Sequence, residues 1–287
     1  MESYLRAIGF SNFDEDELQD LRDYVFKNAD KRFTLGRRKM RMECHKNVGP
    51  GLNLRLMGIL TENGKKMTES ALFPGASADK DLFLREFVSD FGDNTPEVSI
   101  TYEDINSNNE LKFVLQNPLE YRNSPFEKYL NYKSELKRIN IAALSTNATI
   151  LLPVHKDDAA NKEKQVHSNL VLKAKKDTPG AKEDLLMYED NSLRIIHERL
   201  KDEDLLTVVD SYILPIDNEP HIYDILGTIG RIATVQNSMT GEYIYKIDVD
   251  AAGVKIQIFI NKYDILGIPI VNMRFMGKCM LQGVLKL

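Results

Sequence analysis

The densest run of side chains able to grip a charged ligand lies between residues 31 and 46. Lys31, Arg32, Arg37, Arg38, Lys39, Arg41 and Lys46 stand there against one acid, Glu43. Arg37, Arg38, Lys39 and Arg41 are the candidate anion-binding residues, because guanidinium and ammonium groups clustered on one segment attract phosphate-rich ligands or a nucleic-acid backbone. The competing reading is a solvated strand face, neutralised by the segment just before it. Residues 11 to 30 carry Asp14, Glu15, Asp16, Glu17, Asp20, Asp23 and Asp30 against Arg22 and Lys27. Local neutralisation of that kind leaves little net field for a ligand. Only Phe33 interrupts the basic run, so the stacking aromatics of an RNA-reading surface are missing and nucleic acid is disfavoured.

The other candidates are weaker. Gly58 to Lys66 superficially resembles a phosphate-binding loop, but five residues separate Gly58 from Gly64 and Lys66 occupies the hydroxyl position; Asn63-Gly64 has a sufficient role as a hairpin turn. Gly227 and Gly230 are too sparse for a dinucleotide fingerprint. His45, His155, His167, His197 and His221 are scattered without a pair at four-residue spacing. His155 and Asp157 offer two metal-ligating or acid–base groups where a metal site needs three or four, so no metal and no cofactor is implied. Ser145 follows an apolar stretch without a Gly-x-Ser-x-Gly elbow. Cys44 alternates with Met40 and Met42 and reads as a packed thiol. Tyr243 and Tyr245 are the candidate ligand-groove aromatics, weighed against an ordinary core role at strand spacing.

These residues must be positioned by a chain of 287 residues, long enough for about two domains. Its composition is 43% apolar and 28% charged, with a formal charge of −5. That balance excludes a disordered polymer and a generally basic surface. The two cysteines lie far apart in sequence, which suits a reducing compartment. The acidic N-terminal stretch lacks a signal-peptide h-region, and no apolar run approaches the roughly 20 residues of a membrane span. The expected location is the cytoplasm.

Local patterns set the elements. Ser11 to Asp14 has capping-box spacing and predicts a helix with Leu18, Leu21 and Val25 on its apolar stripe. Met40 to Cys44 alternates as a strand, and Leu52–Leu60 and Lys66–Phe73 form a hairpin about Asn63-Gly64. A helix is expected over 78–91, ended by Gly92, and a second hairpin over 98–102 and 111–116. Another helix opens at Ser124-Pro125-Phe126-Glu127. Residues 139–154 read as two short strands turning near Ser145 to Asn147. A polar connection containing Pro179-Gly180 follows, then a short helix over 192–200 and a strand over 205–214. Strands over 225–236, 242–250, 254–260, 270–275 and 278–286 complete the chain.

Tyr4-Leu5-Arg6-Ala7-Ile8-Gly9-Phe10, Phe113-Val114-Leu115-Gln116-Asn117, Val209-Asp210-Ser211-Tyr212, Tyr223-Asp224-Ile225-Leu226-Gly227, and Asp264-Ile265-Leu266-Gly267 with Leu281-Gln282-Gly283 resemble an uncharacterised family of cytoplasmic proteins from clostridia and related bacteria. The resemblance spans the chain and implies one full-length architectural unit. That family is a domain of unknown function, so no catalytic residue, cofactor or partner is carried over.

The expected fold is α+β, with an N-terminal region of β-hairpins and packed helices and a C-terminal β-rich small barrel or meander, compatible with an OB-like barrel. The expected division is 1–155, a polar helical connection over 156–204, and 205–287. Folding signals are abundant while polar residues that chemistry needs are not concentrated. The leading expectation is therefore a non-enzymatic binding or interaction module for a protein or small-molecule partner, away from membranes. The alternatives are an enzyme whose site forms in an inter-domain crevice, and anion or nucleic-acid binding through 31–46.

Overall fold

The computed structural model describes residues 2–36, 40–84, 87–90, 99–103, 110–123, 137–154, 173, 179–199, 205–216 and 219–286. After a 3-10 segment, Glu2–Ile8, comes α1, Glu15–Asn28. Its cap is Asp14 and not Ser11. Asp14 accepts the Glu17 amide at 2.8 Å, and Glu17 accepts the Asp14 amide at 3.0 Å, so both ends of a capping box are made. The Ser11 hydroxyl instead donates to Glu242 at 2.5 Å. Leu21 and Val25 form the buried stripe of α1.

Strands β1 (Lys31–Leu35), β2 (Arg41–Gly49), β3 (Leu52–Leu60) and β4 (Met67–Ala76) make a four-stranded antiparallel sheet in chain order. The Asn63-Gly64 hairpin forms as its residue types dictate: Gly64 sits at φ +70° and Asn63 Oδ1 accepts the Lys65 amide at 3.1 Å.

The expected helix over 78–91 is absent from the described part of that stretch. Strands β5 (Leu82–Leu84) and β6 (Phe87–Asp90) lie there instead. Leu82 pairs with Ile139, a long-range ladder overriding local propensity. β7 (Ser99–Glu103) and β8 (Glu110–Leu115) form the anticipated second hairpin, and a short α2, Pro118–Asn123, follows. The helix expected from Ser124 lies outside the described residues.

Residues 139–154 do not split into two strands. One strand, β9 (Lys137–Leu151), runs through, and Ser145-Thr146-Asn147 is a bulge in it. On the partner strand, Cys279 faces Ser145 and Lys278 faces Asn147, leaving Thr146 as the extra residue. The Ser145 hydroxyl lies 2.8 Å from Asn147 O and 2.9 Å from Lys278 O, bridging the irregularity.

Further on, α3 (Ala181–Arg199) is longer than the expected helix, and residues 205–214 divide into α4 (Leu205–Val208) and the start of β10 (Tyr212–Ile216). The remaining strands are β11 (Glu219–Gln236), β12 (Tyr243–Ala251), β13 (Val254–Asn261), β14 (Ile265–Leu266) and β15 (Arg274–Leu285). β15 absorbs both strands expected after residue 270.

The larger, mixed sheet runs β10-β11-β12-β13-β9-β15-β8-β7-β6, with β5 and β14 also on β9. β11 pairs with β15 through Ile222–Thr228 and with β12 through Thr228–Gln236. The pairings therefore return to their starting strand, but β9 interposes between β13 and β15 and several strands hang from the ring, so this is not a clean barrel. Gly227 permits the turnover. A Cβ there would lie 2.6 Å from Asp250 O and 2.6 Å from a Val249 methyl.

Alternate residues of these strands feed two cores. Ile225, Ile247, Val249, Ile258 and Phe275 belong to one; Ile244, Phe259, Met280 and Leu144 join Ile8, Val25 and Leu54 in the other. Met1–Leu151 and Ser211–Leu287 form one compact unit, and Leu152–Asp210, carrying α3 and α4, form a second. This differs from three consecutive segments because β9 finds its partners in β13 and β15.

Candidate binding groove

A groove of about 830 Å³ opens over β14, β9, β15 and β11. Two rows cross its floor. In the first, Leu266 is the register partner of Thr149, and Thr149 of Met276; in the second, Asn147 pairs with Lys278 and Lys278 with Asp224. Residues opposite one another on neighbouring strands share a face, so each row presents its side chains together. Ile216 closes one side, and Tyr263 and Asp264 stand at the other.

That second wall is fixed from behind. Asn261 caps the 3-10 turn Lys262–Asp264 by accepting the Tyr263 amide at 3.1 Å, while its amide group donates to Arg6 O at 3.2 Å and to the Ser11 hydroxyl at 2.9 Å. Arg6 Nε donates to Asp264 Oδ1 at 2.5 Å. The Asp264 side chain is only 5% exposed, and its Oδ2 accepts no hydrogen bond among the described residues. Burial pushes this carboxyl above its ordinary range, against the pull of Arg6. Lys278 pairs with Glu219 at 3.2 Å. Asp224 accepts the Tyr212 hydroxyl at 3.2 Å; burial and the neighbouring Asp224 charge both raise the pKa of Tyr212.

Beside the groove the chain exposes apolar side chains in succession. Tyr263, Leu266 and Ile268 are 77%, 72% and 75% exposed, and Ile270 and Val271 are also open to solvent. The segment is tied at its far end: Asn272 N donates to Ile229 O and Ile229 N to Met273 O, each at 2.8 Å. Pro269 is buried within it.

The residues singled out from sequence lie elsewhere. Arg37, Arg38 and Lys39 are outside the described residues, and Arg41 is a half-buried residue at the start of β2. Neighbouring cations are engaged locally. Lys46 bonds Asp30 at 2.8 Å, Arg32 donates to Phe26 O and Lys27 O at the end of α1, and Lys31 stands 3.8 Å from Glu120. Tyr245 packs on the core and Tyr243 is exposed; neither lines the groove. Both cysteines are buried, and desolvation raises each thiol pKa. His155 and His167 lie outside the described residues. No cluster of three or more His, Cys, Asp or Glu suited to a metal occurs among the described residues, and no described helix is long and apolar enough to cross a membrane.

Sequence reasoning passed over Asp224, Asp264, Lys278 and the exposed segment. The available signal was composition: Leu266, Ile268, Ile270 and Val271 surround Gly267 and Pro269 in a turn, where polar residues are the norm. It also passed over a pair inside the basic run. Glu43 is fully buried; it bonds His45 Nε2 and accepts the Leu119 amide at 2.9 Å.

The chain belongs to the family described as "Domain of unknown function, E. rectale Gene description (DUF3881)", whose model matches residues 5–283. No curated protein and no solved structure matches it.

Proposed function

We propose that this family member is a non-enzymatic binding module of the cytoplasm that docks a protein partner on the exposed segment 263–271 and the groove beside it. The observation that carries the reading is the succession Leu266, Ile268, Ile270 and Val271 on one tethered surface segment. Scattered exposed apolar residues are ordinary, but a contiguous apolar patch rimmed by polar groups is the mark of an interaction site. The groove's polar groups support binding over chemistry: Asp264 holds Arg6, Lys278 holds Glu219, and Asp224 takes the Tyr212 hydroxyl. Buried thiols without a disulfide are in keeping with a reducing compartment.

A random-peptide display library panned over the immobilised full chain tests this reading. The expected result is a peptide family whose affinity drops about tenfold or more on Leu266→Glu or Ile268→Glu, since each removes an apolar anchor worth roughly 1.5–3 kcal/mol when buried. Both positions are exposed, so an unchanged thermal midpoint accompanies the loss. No enriched peptide, or binding indifferent to both substitutions, ends the proposal.

A further inference from the structure

We infer that the groove selects a partner segment pairing a Lys or Arg side chain with an aliphatic one, the cation lying at Asp224; this rests on the docking reading above. The charges decide it. Arg6 compensates Asp264, and Lys278 compensates Glu219. Among the described residues Asp224 bonds the neutral Tyr212 hydroxyl and makes no ion pair, since its register partner Lys278 carries its ammonium to Glu219. Asp264 adds a second carboxylate at the groove wall, its side chain nine-tenths buried and its enclosed Oδ2 without a hydrogen bond among the described residues. An anionic ligand would meet Asp224 and Asp264 and would have to draw Lys278 from Glu219. A cationic side chain meets the opposite situation, with the exposed Tyr263 ring beside Asp264 as a further cation acceptor.

Register supplies the spacing. Leu266 and Asp224 lie on strands three inter-strand steps apart and in rows two residues apart along the strands, about 14 Å across and about 7 Å along at the usual spacings, or about 16 Å in all. Extended chain covers that distance in about five residues at roughly 3.3–3.6 Å each. The aliphatic residue against Leu266 and the cation at Asp224 therefore stand about five positions apart in the partner.

The test uses peptides enriched on the wild-type full chain, resynthesised with the basic residue replaced by Gln and with its spacing altered. At low salt the replacement weakens binding about fivefold, the upper range for one exposed ion pair. Asp224→Asn, which keeps an acceptor for Tyr212, weakens the basic peptide to the same extent, leaves the Gln peptide unchanged and retains the thermal midpoint. Peptides that need Leu266 and Ile268 but show no basic preference, or for which Asp224→Asn changes nothing, overturn this inference and leave the docking reading standing. Enrichment of acidic peptides, or salt-sensitive RNA binding strengthened by Asp224→Asn, overturns the assigned polarity. Enrichment of no peptide at all defeats both.

Discussion

Glu43 and His45 stand two residues apart on β2 and bond to each other on one face of the strand, the carboxylate fully buried and the imidazole partly exposed. Their neighbours across the sheet are Phe33 and Met57 for Glu43, and Lys31 and Arg55 for His45. The second Glu43 oxygen takes the Leu119 amide, so one acid side chain joins the four-stranded sheet to α2. Glu43→Ala leaves that amide and the imidazole without their acceptor. The expected loss in chemical denaturation is about 2–4 kcal/mol, because an abandoned buried polar partner costs its full desolvation. Glu43→Gln keeps one acceptor oxygen and should lose less.

Acid sensitivity should concentrate at Asp79. Hydrogen bonds from Lys246 and Arg231 lower its pKa from 3.8 to about 2. A carboxylate whose folded pKa lies below its unfolded value stabilises the fold above the unfolded value, and that contribution disappears as pH falls through the folded one. Asp79→Asn should therefore flatten the acid limb of stability between about pH 4 and pH 2, measured by urea midpoints at closely spaced pH. The effect should be small and should shrink with added salt, because the cluster is partly exposed.

Gly227→Ala should destabilise by about 1–3 kcal/mol, the usual cost of inserting a methyl group into a filled site. The first obstacle is the Asp250 carbonyl, and backbone moves less readily than a side chain. Gly230→Ala is the control: a Cβ there meets nothing closer than 3.8 Å. Comparable losses at both positions would refute the packing account.

Gln282 holds the end of β4 on the larger sheet. Its Oε1 accepts the Ala76 amide at 3.2 Å and the Gln116 amide group at 2.6 Å, and its Nε2 donates to Pro74 O at 3.0 Å. Gln282→Met keeps the volume and abandons all three partners, with an expected loss of about 2–4 kcal/mol in thermal or urea unfolding. A near-neutral result would mean that water replaces the amide.

Much of this architecture is legible in local pattern. The stripe of Leu21 and Val25, the Asn63-Gly64 turn and the alternation along β12 and β13 each follow from chemistry within a few residues. What local pattern misreads is decided at long range. Leu82 reads as helical until Ile139 pairs with it, and Ser145 to Asn147 reads as a turn until Lys278 and Cys279 lie alongside. The groove was illegible for the same reason: Asn147, Asp224 and Lys278 meet only through strand register. Glu43 and His45 are closer to hand, since residues two apart on a strand share a face, but they sit inside a run whose dominant local feature is basic charge.

The placement of β9 has a consequence for the protein's birth. Ile139–Leu151 is synthesised more than a hundred residues before Arg274–Leu285, the strand that lies along it. Until Arg274–Leu285 has been made, one edge of this apolar strand has no native cover. A nascent chain carries a sticky intermediate for as long as the intervening residues take to make, and a chain cut before Arg274 leaves that edge bare for good.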